Sequence, residues 1–542
     1  MKVFLMHPDR DFDVKPALRD EIFDAMISGD LFALTRVWRD RQRNRQTAPA
    51  APPGTDDVLA QDLELNTLWG AMAGGDDFLF QTAKRAVLSG LRDADGIKYR
   101  QRVLADSLER FAIVRQLYDL AIEALENERK ADGGLWPTDR PETILNRSVR
   151  VLTLHLDVLK RLRHIADLHA EEFRSEGFTR FFAMLKEELS DEYLQSVGQQ
   201  LRDLAFGHGL LESAKLGKGD KGRDYIVRRM REQRWTERLP FANRTPSYSF
   251  TIAPRDEAGF KALEEVRARG INLLANAVAQ AADHIKSFFS MLRLELAFYL
   301  GCLNLQERLE QKGESICFPE PLPEDEPALS ATGLYDVCLT LHIEDRVIGN
   351  DLDADGKSLV MITGANQGGK STLLRGLGLA HLMMHSGMFV AASAFSASIC
   401  AGVFTHYKRE EDATMTGGKL DEELSRMSQI ADQIVPHSIL LCNESFASTN
   451  EREGSEIARQ VIRAMLDKQI KAFFVTHMYD LAHGFYEQHL DTALFLRAER
   501  EADGRRTFKL VPGEPLPTSY GEDSYRRIFG STRMPPAAAA NK

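Results

Sequence analysis

The chain has 542 residues and a mass of 61.0 kDa, which is enough for about two to four domains. Hydrophobic residues make up 43% and charged residues 27%, a balance typical of folded globular proteins that excludes a fibrous or largely disordered chain. The 80 acidic residues outnumber the 69 basic ones and give a formal net charge of -11, which excludes a protein that coats nucleic acid by overall charge but allows a local basic patch.

The five cysteines argue against cross-linking and against a zinc site. They are odd in number and no two have the CxxC spacing, so we expect neither a disulfide framework nor zinc, and a reducing cytoplasm fits. The first residues contain too short an apolar run for a signal peptide, and no run of about 18 uncharged apolar residues exists. We therefore expect a cytoplasmic protein without a membrane span.

The N-terminal half has a helical pattern. Residues 1–41 predict a small helical segment, and the basic, then Ala/Pro-rich composition of residues 42–60 predicts a linker. Residues 61–206 carry apolar side chains mostly three or four positions apart and predict an all-α core.

Residues 207–253 interrupt the helical pattern with glycines and short alternating runs, such as Tyr225 to Val227 and Ser247 to Ile252, which predict a small strand-bearing insertion. A helical pattern without proline then runs to about Gln311, inside a segment from 254 to 318. About 50 helical residues span on the order of 75 Å. Gly270 and Gly301 are the positions where this helix could kink.

Prolines after residue 318 mark a boundary, beyond which strands and helices alternate. We place a domain at residues 319–530, with a mostly parallel sheet, and a disordered tail at 531–542. Strand candidates are Leu359–Thr363, Ile439–Cys442 and Phe473–Thr476.

The first of these strands leads directly into a phosphate-binding loop and a helix. The loop has the form GxxxxGKS, and its backbone N–H groups would turn inward around phosphates at the helix N-terminus. Lys370 would reach the β and γ phosphates, and Ser371 would bind Mg²⁺. The predicted nucleotide-binding residues are Gly364, Ala365, Asn366, Gln367, Gly368, Gly369, Lys370, Ser371 and Thr372.

Two further strands end in polar residues that suit ATP chemistry. Asn443 and Glu444 follow the second strand, where P-loop ATPases carry an acid for the Mg²⁺ shell and then a glutamate for the attacking water. Asn443 brings no charge, so we expect Mg²⁺ to be held less tightly and turnover to be slow. His477 follows the third strand and is predicted to sense the γ-phosphate.

One glycine loop resembles the LSGGQ signature of ABC ATPases. It consists of Thr416, Gly417, Gly418 and Lys419. In that class the loop covers the nucleotide of the opposite subunit, so the resemblance implies a homodimer.

The motif set as a whole resembles the MutS mismatch-repair ATPases. Residues 363–372 are similar to their TGPNMGGKST, the stretch from Asn443 to Gly454 to their DE…T…DG, and Thr476-His477 to their ATH. Asn350-Asp351 is similar to their ND and Ser519 to Gly521 to their SYG. Leu91 to Gln101 and Leu292 to Ala297 resemble their core and lever segments.

This resemblance implies an α/β P-loop (ABC-type) ATPase domain at the C-terminus. It would be preceded by an all-α core and lever domain with long helices and a short, strand-bearing clamp, here residues 207–253. Residues 1–60 contain no Phe-x-Glu, so we expect no mismatch-reading or connector domain, and we expect no Smr-like nuclease segment after the ATPase part.

A basic stretch within the clamp is the best DNA-binding candidate. Between residues 215 and 238 nine basic and four acidic residues alternate with Tyr225 and Trp235, which suits phosphate tracking and base stacking without sequence readout. The candidates are Lys215, Lys218, Lys221, Arg223, Arg228, Arg229, Arg231 and Arg234. The other interpretation is a solvated charged loop.

We therefore expect a MutS-like, dimeric, slow ATPase that uses ATP and Mg²⁺ to alter its hold on duplex or branched DNA. Glu444 and His477 would be catalytic, and Ser371 and Asn443 would serve the metal. Two alternatives remain, a nucleotide-gated scaffold with little hydrolysis and an ABC- or SMC-type ATPase without direct DNA recognition.

Overall fold

A computed structural model describes most of the chain, namely residues 1–12, 27, 55–132, 140–206, 210–220, 222–228, 248–409, 418–501 and 505–517. An N-terminal helical body leads through one very long helix into a C-terminal α/β domain. The helices of the body are α1 (Thr55–Asp62), α2 (Leu65–Ala73), α3 (Asp77–Leu88), α4 (Ala94–Glu109), α5 (Phe111–Asp132), α6 (Pro141–His169), α7 (Glu176–Glu188) and α8 (Asp191–Leu204).

Polar caps delimit several of these helices. The Asp76 carboxylate accepts hydrogen bonds from the backbone N–H groups of Phe78 and Leu79 and fixes the start of α3, and Asp93 accepts one from Gly96 at the start of α4. No strand interrupts the described residues between 61 and 206, so the prediction of an all-α core is confirmed there.

The helix α9 (Glu257–Gln311) has 55 residues and a length of about 80 Å. It begins at the Asp256 cap and continues through Gly270 and Gly301, so the predicted helix is confirmed and neither glycine divides it. A Cβ at Gly301 would lie 3.3 Å from Met72, which shows that glycine here lets α2 pack closely. We refer to α9 as the lever.

The two halves of the lever differ in burial. No residue before Gly270 is buried, whereas nearly continuous burial runs from Phe288 to Cys302. The second half is apolar and long enough to cross a membrane by composition, but its apolar surface is covered by α5, α6 and the helices α2 and α3. Its hydropathy is therefore explained by packing inside the protein.

A two-stranded antiparallel hairpin lies on the exposed half of the lever. Its strands are β1 (Leu211–Leu216) and β2 (Gly222–Arg228). The hairpin contacts the lever at Gly270, where a Cβ would collide with the Glu212 carboxylate. The predicted strand-bearing insertion is thus present, although residues 248–252 form no strand.

The N-terminal segment differs from the sequence prediction. Residues 1–12 form neither helix nor strand, with Val3, Leu5 and Met6 buried, and residues 13–26 and 28–41 of the predicted helical segment lie outside the described part of the chain. The predicted linker is also shorter, because Thr55 already begins α1, and residues 42–54 lie outside the described part of the chain. Tertiary contacts decide the conformation of such short segments.

The elements of the C-terminal domain are β3 (Glu320–Leu322), β4 (Leu329–Leu334), α10 (Val337–His342), β5 (Asn350–Asp353), β6 (Leu359–Thr363), α11 (Lys370–His385), β7 (Ala394–Ser398), β8 (Val403–Tyr407), α12 (Lys419–Gln433), β9 (Ile439–Asn443), α13 (Glu451–Asp467), β10 (Lys471–Val475), α14 (Tyr479–Tyr486), β11 (Ala493–Arg500) and β12 (Arg506–Pro512). The strands form a mixed four-stranded sheet and a six-stranded sheet with the order β12-β11-β6-β10-β9-β8.

The three predicted strands are all present in the six-stranded sheet. Strand β6 has the predicted bounds, β9 is one residue longer, and β10 begins two residues earlier and ends at Val475. Alternate residues of β6 face opposite sides, so that Val360 and Ile362 enter one apolar core while Leu359 and Met361 enter another. A continuous apolar strand is what a parallel sheet covered on both faces requires.

All five cysteines are free thiols, as expected, and all except the half-buried Cys317 are buried. Burial raises the pKa of the Cys400 thiol to about 12, so this side chain is an inert apolar group at neutral pH.

Candidate nucleotide site

The sheet brings the ends of three strands to the same level. Strand β10 lies between β6 and β9, and Val475 is in register with both Ile362 and Asn443. All three strands are parallel, so the loops that follow them leave from one edge. The loop after β6, the pair Asn443-Glu444 and the pair Thr476-His477 therefore meet there.

The loop between β6 and α11 needs glycine at defined positions. Gly364 and Gly369 have positive φ angles of 107° and 87°, which glycine adopts at little cost. A Cβ at Gly368 would lie 2.6 Å from the Cβ of Ala498 on β11. The loop is thus pressed against the β11–β12 hairpin, and this leaves its opposite side for a ligand.

Lys370 is buried at the first position of α11, directly after this loop. Its Nζ donates hydrogen bonds to the carbonyl oxygens of Gly364 and Ala365, at 2.9 and 3.0 Å. Burial lowers the pKa of Lys370, and the Glu444 carboxylate partly opposes this effect. A buried ammonium group whose acceptors are two loop carbonyls is suited to exchange them for phosphate oxygens.

The two residues predicted for the metal contact each other. The Ser371 hydroxyl donates to the amide oxygen of Asn443 over 2.9 Å. Two neutral oxygens beside a phosphate site fit Mg²⁺, which binds through few protein ligands plus substrate phosphates and water. No group of three or more His, Cys, Asp or Glu side chains suited to a metal occurs within the described residues.

Glu444 and His477 form a pair facing the loop. The Glu444 carboxylate lies 3.8 Å from Nδ1 of His477, and both side chains are partly exposed. The pKa of Glu444 is lowered, first because of the His477 imidazole and further because of Lys370 and Lys408. Glu444 is therefore ionised at neutral pH and can accept a proton from water.

The glycine loop predicted to act across a dimer is described only in part. Gly418 caps α12 and Lys419 is its first residue, whereas Thr416 and Gly417 lie outside the described residues. Helix α12 is fixed to the sheet edge because Arg426 donates to the carbonyl oxygen of Tyr407. The action of this loop on a second subunit stays a prediction.

The structure adds Arg375 to the residues singled out from the sequence. It lies on α11 and pairs with the fully buried Asp336 and with Glu64 of the helical body. Its partners are 39 and 311 positions away in the chain, so no local pattern could have indicated this role. Arg375 joins the helix that begins at the phosphate loop to the N-terminal body.

Asn350, noted for its similarity to the ND motif, also has a structural role. Its amide accepts a hydrogen bond from the Leu510 N–H at 2.8 Å and donates to the Phe508 carbonyl at 3.1 Å. A Cβ at Gly369 would lie 3.2 Å from that same carbonyl. Asn350 thus fixes β12 behind the phosphate loop.

Half of the candidate DNA-binding residues are in the described hairpin. The side chains of Lys215, Lys218, Arg223 and Arg228 lie on the described strands or the turn between them. Lys215 pairs with Asp224 at 3.4 Å, and Arg228 donates to the Ser213 hydroxyl. The remaining four, Lys221, Arg229, Arg231 and Arg234, lie outside the described residues.

Two family models match the chain. The MutS2 N-terminal domain matches residues 92–312, and MutS domain V matches residues 360–524. The first covers most of the helical body and the lever, and the second covers the phosphate loop and the residues around it.

Curated relatives agree with these matches. The chain is 26% identical to MutS protein homolog 4 of Mus musculus over 291 residues, 51% of the chain and 29% of that relative. It is 30% identical over 181 residues to DNA mismatch repair protein MutS of Porphyromonas gingivalis, 32% of the chain and 20% of the relative. Endonuclease MutS2 of Thermus thermophilus is 31% identical over 189 residues, 33% and 24% respectively. The matched stretches thus span less than a third of each relative.

Proposed function

Because the chain belongs to the MutS family, we propose that it is a slow ATPase whose nucleotide state changes its hold on DNA. The observation that carries this proposal is the meeting of Lys370, the Ser371–Asn443 pair and the Glu444–His477 pair at one edge of the sheet. The name of one relative connects the family with DNA mismatch repair. The DNA of this protein is proposed to be duplex or branched and read by shape.

The chemistry of the site follows from the positions of these side chains. Backbone N–H groups of the loop and Lys370 would hold the β and γ phosphates, and the Ser371 hydroxyl would serve as a ligand of Mg²⁺. Asn443 would orient Ser371 and a metal-bound water. When bound, Mg²⁺ would neutralise phosphate charge during transfer.

Glu444 is proposed as the residue that positions the attacking water and accepts its proton. Its place beside Lys370 and His477 supports this role, and its lowered pKa means that the carboxylate is ionised at neutral pH. His477, the partner of Glu444, is proposed to sense the γ-phosphate. A single carboxylate without a second acidic metal ligand supports slow turnover, as suits a switch.

The lever offers a connection from this site to the hairpin. Its last turn meets the C-terminal domain, where Lys312 donates to the Ile343 carbonyl at 2.6 Å. Its exposed first half carries the basic hairpin. A small rotation at the buried end of a rigid helix becomes a large displacement at its far end.

A homodimer is part of this proposal. The resemblance of Thr416 to Lys419 to a signature loop supports a site shared between two subunits. Closure of the two subunits on ATP would then move both levers toward one DNA molecule.

The proposal is tested by measuring fluorescent ATP binding and phosphate release for the wild type and Lys370→Ala. We expect wild type to bind with Mg²⁺ and to hydrolyse slowly, and Lys370→Ala to lose at least about tenfold in affinity. The matched control is Lys357→Ala, whose Nζ contacts the Asp491 carbonyl. Equal binding by wild type and Lys370→Ala would refute the site.

Asn443 favours a second candidate, a nucleotide-gated scaffold that binds ATP without turnover. The amide supplies a neutral oxygen to Ser371, where a carboxylate would add a charge for the metal. Phosphate release by wild type and Asn443→Asp separates the two functions. The ATPase proposal expects measurable turnover in wild type, whereas turnover only in Asn443→Asp would establish the scaffold.

A further inference from the structure

Residues 1–12, which form neither helix nor strand, occupy a cleft that three parts of the protein share. Glu295 and Tyr299 of the lever line one side, and Tyr99 and Arg100 of α4 line another. The third side is the end of α11, the helix that begins at the phosphate loop. We call residues 1–12 the latch.

The lever holds the latch through a buried carboxylate. One oxygen of Glu295 accepts hydrogen bonds from the N–H groups of Leu5 and Met6, at 2.8 and 3.0 Å, and the other accepts one from Phe12 at 3.1 Å. Glu295 is completely buried. Burying a carboxylate costs folding free energy unless its oxygens are hydrogen-bonded. The N–H groups of the latch offset this cost for Glu295.

Two tyrosines on different helices hold the same stretch. The Tyr299 hydroxyl donates to the Leu5 carbonyl, and the Tyr99 hydroxyl donates to the Phe4 carbonyl, each at 2.5 Å. Tyr299 lies one helical turn after Glu295, so both reach the latch from one face of the lever.

Arg100 connects the latch to α11. Its guanidinium donates to the Met6 carbonyl at 3.0 Å, to Nε2 of His7 at 2.8 Å and to the Ser386 carbonyl at 3.4 Å. Ser386 caps the end of α11. A Cβ at Gly387 would collide with the Cβ of Arg100, so the chain after α11 is packed directly on this arginine.

We propose that the latch transmits nucleotide-dependent movement of α11 to the lever, through Arg100 and Glu295. This inference rests on the proposed function and adds the path inside one subunit. The first residue of α11 is Lys370, at the phosphate site. A rigid helix carries displacement to its other end, where Arg100 and the latch form a continuous hydrogen-bonded contact with the lever.

Hydrogen exchange of the latch amides tests the proposal directly. In the wild type we expect a non-hydrolysable ATP analogue with Mg²⁺ to slow exchange in residues 1–12 by at least about threefold. In Glu295→Gln we expect these amides to exchange about tenfold faster, and we expect the analogue to leave their exchange rate unchanged. The nucleotide affinity of this variant should stay within about twofold of the wild type. The control is Glu128→Gln, a buried carboxylate that pairs with Lys286 of the lever away from the latch.

Tyr299→Phe is the gentler second variant, because it removes only the hydroxyl that binds Leu5. We expect it to weaken the nucleotide response of the latch without unfolding the lever. An unchanged exchange rate in wild-type residues 1–12 on nucleotide binding would overturn the latch. So would a full response of DNA affinity to nucleotide in both Glu295→Gln and Tyr299→Phe.

Measuring DNA affinity together with hydrogen exchange of the latch separates this proposal from the proposed function. If the latch amides respond to nucleotide but DNA affinity does not, the latch stands and the DNA-binding function fails. If DNA affinity responds to nucleotide while the latch does not, the function stands and the latch fails.

Discussion

Among the single residues of the nucleotide site, few carry a negative charge. Ser371 contacts an amide rather than a carboxylate, and Glu444 is the acidic group beside Lys370 and His477. In the proposed mechanism the carboxylate of Glu444 would therefore carry out the proton transfer and supply much of the local negative charge. Its removal should affect hydrolysis far more than binding.

Glu444→Gln keeps the shape of the side chain but cannot accept a proton. We expect phosphate release to fall by about 10²–10⁴-fold, while nucleotide affinity changes by less than about threefold. Glu451→Gln, in the first turn of α13, is the control. Retention of wild-type turnover by Glu444→Gln would remove Glu444 from the mechanism.

Glu295 should give the protein a pH-dependent stability. Burial raises the pKa of Glu295 to about 7, despite three backbone N–H donors that favour its charged form and with Asp11 adding to the rise. The unfolded chain has the ordinary, lower pKa. The stabilising contribution is therefore complete at low pH and is lost as pH rises through about 7.

The difference in unfolding free energy between wild type and Glu295→Gln isolates this effect. We expect wild type to lose on the order of 3 kcal/mol relative to the variant between pH 4.5 and 7. The comparison is needed because burial and Arg100 lower the pKa of His7 to about 3, which acts in the opposite direction below pH 6.5. A constant difference across this range, measured by urea unfolding, would show that Glu295 does not titrate in the folded protein.

Among the helices and strands, those whose sequence signals lie close together in the chain were predicted correctly. The features that were missed depend on partners far away in the chain. The strand–loop–helix around Lys370 and the lever were recognisable because apolar runs, glycine spacing and caps lie within a few residues of each other. The latch was wrongly predicted as helical, since its partner Glu295 lies about 290 positions away. Arg375 was missed for the same reason.

Two helix-interior glycines predict opposite responses to alanine. A Cβ at Gly70 in α2 would have no neighbouring atom within 4 Å, whereas a Cβ at Gly378 in α11 would lie 2.8 Å from Leu441 and 2.9 Å from Leu63. Gly70→Ala should stabilise by about 0.5–1 kcal/mol through helix propensity. Gly378→Ala should destabilise by about 1–3 kcal/mol through overpacking. Thermal unfolding of both variants checks the signs, and a stabilised Gly378→Ala would contradict the close packing of α11 against Leu441 and Leu63.

At the scale of the whole molecule, the exposed half of the lever and its hairpin stand apart from the ATPase domain. The hairpin carries Lys215, Lys218, Arg223 and Arg228 although the chain is acidic overall. Attraction between local positive charge and phosphates is strongly salt-dependent. This property distinguishes a DNA contact from a solvated charged surface.

The triple variant Lys215→Ala, Arg223→Ala and Arg228→Ala should bind duplex DNA more weakly. Each lost phosphate contact is expected to reduce the slope of log affinity against log salt by about 1. The charge-matched control replaces Lys130, Arg308 and Lys468, which are exposed elsewhere. An unchanged affinity and slope in the hairpin variant would assign DNA binding to another surface or to none.

Nucleotide at the phosphate loop is proposed to alter the hold on DNA. The decisive measurement is the affinity of the wild type for duplex and branched DNA, with and without a non-hydrolysable ATP analogue. We predict a change of at least about fivefold, a typical size for coupling between two sites, and its loss in Lys370→Ala. Identical DNA affinities of the wild type with and without bound nucleotide would rule out coupling between the two sites.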